Sequence, residues 1–160
     1  MNRQPTLVGE VIEVRPLVEE DFDALHAAAA DPLVWEQHPD SGRWREDVFR
    51  AYFDDHLGSG GALAVVDRAS AALIGATRYD NFDPERSEVE IGWTFLARPY
   101  WGGTYNADLK RVMLEHAFRS VRTVVFLVGE NNARSRRAVE KLGAVESGRR
   151  RDMVLYELSR

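Results

Sequence analysis

Three predicted strands follow one another with no helix between them, and this limits the possible folds more than any other feature. Residues 62–67 and 71–82 are rich in apolar and β-branched side chains, and residues 87–97 alternate apolar and polar side chains. Consecutive strands favour antiparallel pairing, whereas a later strand–helix–strand unit favours one parallel step. The sequence predicts an α/β fold of the α+β type: a mixed, mainly antiparallel central sheet of about seven strands with helices on both faces.

The other elements are predicted from helical spacing, apolar runs and turn residues. Pro32 and the glycines from Gly58 are the expected ends of the first two helices. The remaining predicted elements are a strand at 6–17, helices at 19–32 and 43–61, a turn region at 33–42, a helix after Thr104 with Leu109, Val112 and Met113 on its apolar stripe, a buried strand at 123–128, a helix at 131–143 and a closing hairpin at 144–160. No linker interrupts this order, so residues 1–160 are expected to form one domain.

Composition restricts the functional class. The 160 residues include no cysteine, which rules out a disulfide framework, a thiolate nucleophile and a cysteine-based zinc site. No His, Asp and Glu spacing suggests a metal site, no apolar run approaches the roughly 18 residues of a membrane span, and no long Lys/Arg run indicates nucleic-acid binding. The N-terminus lacks a secretory-signal pattern. We expect a cytoplasmic protein, monomer or homodimer, with no metal, membrane or nucleic-acid ligand.

The charge is unevenly placed along the chain. Of the net charge of −5, residues 1–80 carry −8 and residues 81–160 carry +3. An acidic half beside a basic half suits a protein that joins a cationic substrate to an anionic cofactor. Solvated surface charge explains the same asymmetry, and the sequence alone does not decide between the two.

A glycine pair precedes the helix that follows the alternating strand. In the segment RPYWGGTYNADLK (98–110), Gly102 and Gly103 lie where a helix N-terminus offers unpaired amides to an anion. The segment lacks the Gly-Lys-Ser/Thr ending of a P-loop and the spacing of a dinucleotide fingerprint. From the residues alone, a phosphate cradle and an ordinary turn both remain open.

The runs EVEIGWTFLARPYWGGTYNADLKRVMLEHAF and VGENNARSRRAVEKLGAVESG resemble the GNAT superfamily of acyl-CoA-dependent N-acyltransferases. The likeness is closest to the Rim-type branch, which includes the acetyltransferases of ribosomal proteins. It covers nearly the whole chain and is weakest at residues 35–57. It implies the acyl-CoA N-acyltransferase fold, acetyl-CoA as co-substrate, and a primary amine of a peptide or small molecule as acceptor.

The resemblance also implies where the coenzyme binds. The glycine loop would hold the pyrophosphate, and the pantetheine would lie along the end of the preceding strand. The implied coenzyme residues are Thr94, Phe95, Leu96, Arg98, Trp101, Gly102, Gly103, Thr104, Tyr105, Asn106, Asn132, Ser135 and Arg137. Trp101, Thr104 and Asn106 depart from the general motif. Thr104 is the most serious change, since a β-branched residue tolerates positive φ poorly, whereas a near-helical backbone would leave its amide free to donate.

Acyl transfer to an amine needs a base, because an exposed lysine-type amine has a pKa near 10.4. Glu90 is the candidate base by resemblance, and a glutamate on a solvated or ion-paired face is the alternative. The resemblance implies a coenzyme role for the side chains of Asn132 and Ser135. Helix capping by itself would also explain the asparagine at position 132. Many family members carry a tyrosine acid where this chain has Val139. Ser135 or water is left to protonate the thiolate.

Acceptor residues are expected in the segment before the second helix. Trp35, His38 and Trp44, together with Glu90, are the predicted substrate-binding residues, although aromatic side chains near helices also belong to cores. The departures at Thr104 and Val139 leave two hypotheses. The protein is either an acetyl-CoA-dependent N-acetyltransferase or a related module that binds acyl-CoA or a protein partner without turnover.

Overall fold

The computed structural model, which describes residues 1–160, contains one eight-stranded sheet and five helices. The strands are β1 (Leu7–Val8), β2 (Ile12–Pro16), β3 (Ala62–Asp67), β4 (Leu73–Asp83), β5 (Glu88–Leu96), β6 (Thr123–Val128), β7 (Val145–Arg150) and β8 (Met153–Ser159). Their spatial order is β1-β2-β3-β4-β5-β6-β8-β7, and only the β5–β6 pair is parallel. The predicted mixed, mainly antiparallel sheet is confirmed.

Helices cover both faces of this sheet, as predicted. They are α1 (Phe22–Ala29), α2 (Pro32–Trp35), α3 (Glu46–Gly58), α4 (Tyr105–Ala117) and α5 (Ala133–Lys141). Helices α4 and α5 pack on what we call the first face, in a core of 21 buried residues. Helices α1, α2 and α3 pack on the second face, in a core of 13. None of the helices is long and apolar enough to cross a membrane.

The N-terminal segment forms two strands instead of the single one predicted at residues 6–17. The chain turns at Gly9, and β1 and β2 pair antiparallel. The cause is Asp108 on α4, whose carboxylate accepts hydrogen bonds from the amides of Val11 (2.8 Å) and Ile12 (3.2 Å). A Cβ atom at Gly9 would lie 2.3 Å from Asp108 Oδ2, so this close approach requires glycine.

Pro32 begins a helix, where the sequence analysis expected it to end one. Helix α1 stops at Ala29, and Pro32 occupies the first turn of the short helix α2. Asp31 caps α2 by accepting a hydrogen bond from the Leu33 amide. Proline fits this position because the first turn needs no N–H donor and the ring fixes a helical φ.

A β-bulge in β5 breaks the predicted alternation at Trp93. Ala76 pairs with Phe95 and Arg78 with Gly92, so two steps along β4 match three along β5. Trp93 takes up the extra residue with φ +53°. Ile91 therefore packs on the first face, whereas Phe95 packs on the second. The prediction that Val89 through Phe95 alternate on one face is wrong beyond the bulge.

Strands β5 and β6 separate just before this bulge. Their parallel pairing covers only Glu88–Glu90 and residues 123–125, although β5 continues to Leu96 and β6 to Val128. Each strand stays paired with its neighbour on the other side: β5 with β4 as far as Leu96, and β6 with β8 as far as Val128. We call this opening the fork.

His56 on α3 is buried against the second face, and neither ring nitrogen has a hydrogen-bond partner. Its ring stacks on that of Tyr52 with 5.1 Å between centroids. Burial and the nearby Arg78 guanidinium lower the pKa of His56 from 6.5 to about 3. Between pH 6.5 and about 3, this imidazole is therefore neutral in the folded protein, whereas the same side chain is protonated in the unfolded chain.

The substitution His56→Leu is expected to flatten the acid side of the stability profile. Because the unfolded chain binds more protons between pH 6.5 and 3, this group lowers the free energy of unfolding as pH falls, by up to about 1.4 kcal/mol per pH unit. Urea unfolding at several pH values from neutral to acidic measures the slope. The control Phe53→Leu should lower stability without changing the slope. A slope that His56→Leu leaves unaltered would contradict the assignment.

Candidate active site

Six consecutive backbone amides, from Gly102 to Ala107, donate to no acceptor within the chain. They surround the N-terminus of α4, where the helix dipole adds partial positive charge. Gly102 has φ +70°, which only glycine adopts without strain, and a Cβ atom at Gly102 or Gly103 would meet no atom within 4 Å. The loop thus presents a row of free donors to open space, an arrangement suited to an anion.

Thr104 fits this loop without strain. Its backbone lies in the right-handed helical region, with φ −85° and ψ −12°, and its side chain makes no capping hydrogen bond. The near-helical alternative for Thr104 is the one observed, and its amide remains a free donor. Tyr105 and Asn106 follow in the first turn of α4, where the Tyr105 hydroxyl donates to Asp67 Oδ1 at 3.0 Å.

Trp101 connects the loop to the end of β5 and to α5. Its indole Nε1 donates to the carbonyl oxygen of Leu96 at 2.7 Å. The guanidinium of Arg134 lies 3.8 Å from the centroid of a Trp101 ring and donates to the Val34 carbonyl on α2. Burial lowers the pKa of Arg134. Sequence analysis missed Arg134, because nothing in the local pattern signals a contact with Trp101, 33 positions earlier in the chain.

Asn132 and Ser135 lie at the N-terminus of α5. The Asn132 side chain is buried and accepts a hydrogen bond from the Ser135 amide at 3.3 Å, so it caps the helix. The Ser135 hydroxyl has no partner within the chain and is half-buried. Val139, one turn further along, is packed in the first-face core and offers no proton.

Arg98 and Arg137, which were predicted near the coenzyme, and the neighbouring Arg136 differ in availability. Arg98 pairs with Asp31, the residue that caps α2. Arg136 donates to the Tyr156 hydroxyl at 2.9 Å and pairs with Glu146. Arg137 is exposed and makes no ion pair or side-chain hydrogen bond. Of these three cations, only Arg137 is free to meet a ligand without breaking a contact within the chain.

Glu90 is buried on the second face, with 3% of its surface exposed. Its carboxylate accepts hydrogen bonds from Asn81 Nδ2 at 2.7 Å and from Arg151 Nη2 at 2.5 Å. Glu88 makes a similar pair with Arg150 at 2.7 Å. The structure therefore places Glu90 in an ion pair, which was the alternative to a free carboxylate. Its role as a base stays a prediction.

The bulge beside Glu90 is fixed by its neighbours. Trp93 has the Arg78 guanidinium 3.5 Å from its ring centroid and that of Arg151 at 5.9 Å. The Trp93 carbonyl accepts a hydrogen bond from the Tyr52 hydroxyl at 2.9 Å. Thr94, the next residue, lies on the first face and contacts α4 through its hydroxyl. The bulge therefore places Thr94 on the face opposite Glu90.

The predicted acceptor residues fall in different environments. Trp35 is 2% exposed and packs against Phe95 with 5.0 Å between ring centroids. Its indole donates to the Ala29 carbonyl, so Trp35 belongs to the second-face core. Trp44 is 40% exposed. His38 lies between them in sequence, and burial and then the charge of Arg43 lower its pKa to about 4.

A polar cavity of about 440 Å³ adjoins His38. It forms where the segment after α2 meets the segment after β6, and Pro39 packs there against Gly129. Its lining residues are Glu36, Gln37, His38, Pro39, Gly129, Glu130 and Asn131. Two carboxylates line the cavity: Glu130 pairs with Arg149 at 2.7 Å, whereas Glu36 makes no ion pair and could meet a cationic group. No group of three or more His, Asp or Glu side chains in the chain is arranged to hold a metal ion.

The fold is shared with many solved acetyltransferase structures. A GCN5-related N-acetyltransferase from Brucella melitensis is 20% identical, with a TM-score of 0.86 over 98% of this chain and 79% of that one. A proposed acetyltransferase from T. thermophilus is 29% identical, with a TM-score of 0.78 over 96% and 88%. A proposed ribosomal-protein-serine acetyltransferase from Vibrio cholerae is 12% identical, with a TM-score of 0.77 over 100% of both chains. At 12% and 20% identity, the Vibrio and Brucella likenesses show the shared fold.

The sequence comparisons agree with the fold. No curated protein matches the chain. The family model described as the acetyltransferase (GNAT) domain matches residues 12–145. That match includes the glycine loop, the fork and most of the sheet. The chain belongs to the GNAT family of acetyltransferases, which are acyl-transfer enzymes.

Proposed function

We propose that the protein is an acetyl-CoA-dependent N-acetyltransferase that acetylates a primary amine by direct attack in a ternary complex. The observation that carries this proposal is the row of free amides from Gly102 to Ala107 at the mouth of the fork. A pyrophosphate offers several anionic acceptors to such a row and gains from the dipole of α4. The uncommitted guanidinium of Arg137 supplies a further cation for the coenzyme phosphates.

The fork suits an extended coenzyme arm. Past Glu90, strands β5 and β6 no longer pair with each other, so a chain with amide groups can lie along β5 at Thr94, Phe95 and Leu96. The Trp101 indole already occupies the Leu96 carbonyl. This contact ties the residue before the glycine pair to the end of β5, which supports placing the phosphate and arm sites next to each other.

The acceptor is proposed to be a cationic amine, either a peptide N-terminus or a small molecule. The polar cavity beside His38 carries the unpaired carboxylate of Glu36, together with Glu130, which pairs with Arg149. Carboxylates attract an ammonium group and desolvate it at lower cost than an apolar wall. We place this activity in the cytoplasm, with the protein acting as a monomer or homodimer.

Glu90 is the proposed base. Its carboxylate accepts hydrogen bonds from Arg151 and Asn81, and in this proposal it takes the amine proton through water. The freed nitrogen lone pair then attacks the thioester carbonyl, the C–N bond forms, and the C–S bond breaks as the tetrahedral oxyanion collapses.

The second candidate is a module that binds acyl-CoA without turnover. Two observations favour it: Glu90 is engaged in an ion pair, and Val139 offers no proton where many relatives carry a tyrosine. Coenzyme binding is common to both candidates. Thiol release distinguishes them.

Acetyl-CoA is expected to bind saturably and to release free thiol when a suitable amine is present. Calorimetric titration measures the binding, and a thiol-reactive dye follows release with a panel of N-terminal peptides and small polyamines. Failure to bind at high coenzyme concentration would overturn the proposed function. Binding without thiol release across the whole panel would favour the second candidate.

Glu90→Gln is expected to lower kcat by about 10²-fold, because the amide cannot take a proton. The Kd for acetyl-CoA should stay unchanged, since Glu90 lies on the face opposite α4. Glu88→Gln is the matched control, as it also removes one buried arginine pair and should leave kcat near the wild-type value. Equal losses in both variants would assign Glu90 a structural role only.

Gly102→Ala and Gly103→Ala are expected to differ. Gly102→Ala forces an L-residue to positive φ and should lower the free energy of unfolding by about 1 kcal/mol. Gly103→Ala should leave the free protein stable, but its methyl group enters the space where the coenzyme phosphates are proposed and should raise the Kd for acetyl-CoA by about tenfold. Thermal melts and calorimetry separate the two effects. Gly58→Ala, also in open space but on α3, is the control. Wild-type affinity in Gly103→Ala would exclude this loop from the coenzyme site.

A further inference from the structure

Lys110 is a buried cation in a chain that otherwise relies on arginine. The sequence contains 19 arginines and two lysines, Lys110 and Lys141. Lys110 lies on the inner side of α4 with 5% of its surface exposed. Its neighbours Leu109 and Val112 are the expected apolar residues of that side. A fully buried lysine without a carboxylate partner is costly, so a functional explanation is needed.

The Lys110 ammonium group lies at the fork. Nζ donates to the hydroxyl of Thr94 on β5 at 2.8 Å, and it lies 5.9 Å from the ring centroid of Phe126 on β6. Thr94 directly follows the bulge, and Phe126 directly follows the last residue of β6 that pairs with β5. Nζ therefore approaches both strands just beyond the point where they separate, on the face covered by α4.

No charged partner compensates Lys110. It forms no ion pair, and its single hydrogen-bond acceptor is a neutral hydroxyl, although an ammonium can donate three bonds. Thr94 in turn lies 2.8 Å from the Thr77 hydroxyl. Two of the three ammonium donors therefore have no partner within the chain.

The titratable groups on the surrounding elements are occupied elsewhere. They are Tyr79 on β4, Glu90 on β5, Tyr156 on β8, Arg136 and Glu140 on α5, and Asp108 on α4. The tyrosine hydroxyls donate to the Met113 carbonyl and to Glu140, Arg136 pairs with Glu146, and the three carboxylates each bind partners other than Lys110. Burial alone lowers the pKa of Lys110 from 10.5 to about 7. A group with this pKa exchanges protons at neutral pH.

We propose that Lys110 is the catalytic acid that protonates the departing coenzyme thiolate. This inference rests on the proposed function. As the tetrahedral intermediate collapses, the C–S bond breaks and its electron pair stays on sulfur. A proton moves from Lys110 Nζ to that sulfur, which gives the free thiol and a neutral lysine. Lys110 then regains a proton from water, while the proton lost by the amine leaves through the base.

Lys110 suits this role better than the alternatives that sequence analysis left open. The Ser135 hydroxyl and water are both much weaker acids than a lysine whose ammonium form loses its proton near neutral pH. Val139 carries no proton. An arginine at this position would hold the charge but would not give up the proton, because its pKa exceeds 12.

The test compares Lys110→Met with the control Arg111→Met, which removes the adjacent cation on the outer side of α4. Lys110→Met should lower kcat by about 10²-fold and leave the Kd for acetyl-CoA unchanged. Wild-type kcat should fall as pH rises through about 7, because Lys110 loses its proton there, and this descending limb should be absent in Lys110→Met. The proposal would be overturned if Lys110→Met kept the wild-type kcat, or if the fall in its kcat above pH 7 were unaltered.

Lys110→Arg provides a second variant if Lys110→Met does not fold, as judged by circular dichroism. It should keep coenzyme binding but lose the descending limb together with most of kcat. A wild-type kcat in Lys110→Arg would show that only the positive charge at this position matters, as electrostatic stabilisation of the sulfur. That result would overturn proton donation by Lys110.

A readout without turnover separates this proposal from the proposed function. In protein labelled with carbon-13 at lysine, the two lysines give two Cε signals, and Lys110→Met assigns them. The Lys110 signal should titrate near pH 7 and should shift when acetyl-CoA binds. Calorimetric binding with no shift of this signal would overturn the role of Lys110 and leave the proposed function standing. Absence of binding would overturn the proposed function itself.

Discussion

The extra residue at Trp93 determines how the site is arranged. Without the bulge, Thr94 and Glu90 would share a face of β5, because side chains alternate with period two. With the bulge, Glu90 lies on the second face and Thr94 on the first. A non-glycine residue at φ +53° costs about 1–2 kcal/mol. The Tyr52 hydroxyl and the stacked Arg78 guanidinium offset that cost at the same residue.

Arginine serves throughout the site as a planar support for tryptophan. Arg78 lies over Trp93 at the bulge, and Arg134 lies over Trp101 beside the glycine loop. Guanidinium groups suit these positions because they stack on aromatic rings while still donating hydrogen bonds in their own plane. Both tryptophans position backbone at the fork, Trp93 through the bulge and Trp101 through the Leu96 carbonyl. Lysine lacks the planar guanidinium and would not replace arginine in either contact. Lys110 makes no such contact, so its burial needs a different explanation.

Sequence reasoning predicted the elements, the mixed sheet and the position of the glycine loop, because each depends on local patterns. It missed the bulge, since apolar residues at Ile91, Trp93 and Phe95 keep period two although both faces of the sheet carry apolar cores there. It also missed Lys110 and Arg134, whose partners lie far along the chain. The ion pair of Glu90 depends on Arg151 at the distant β7–β8 turn, and no local signal places that side chain.

The two faces of the fork give acyl transfer a direction. In the proposed function, a thioester held in the fork would have the carboxylate of Glu90 on the second face and the ammonium of Lys110 on the first. The attacking amine must lose a proton and the departing sulfur must gain one, at opposite sides of the same carbonyl carbon. If the proposed base and the proposed acid shared a face, they could pair with each other, and a carboxylate partner would make the ammonium a weaker acid. The bulge prevents that pairing by separating Glu90 from Thr94, the partner of Lys110, across the sheet. The bulge at Trp93 thereby leaves Lys110 without a carboxylate partner on the first face, while Glu90 pairs with Arg151 on the second.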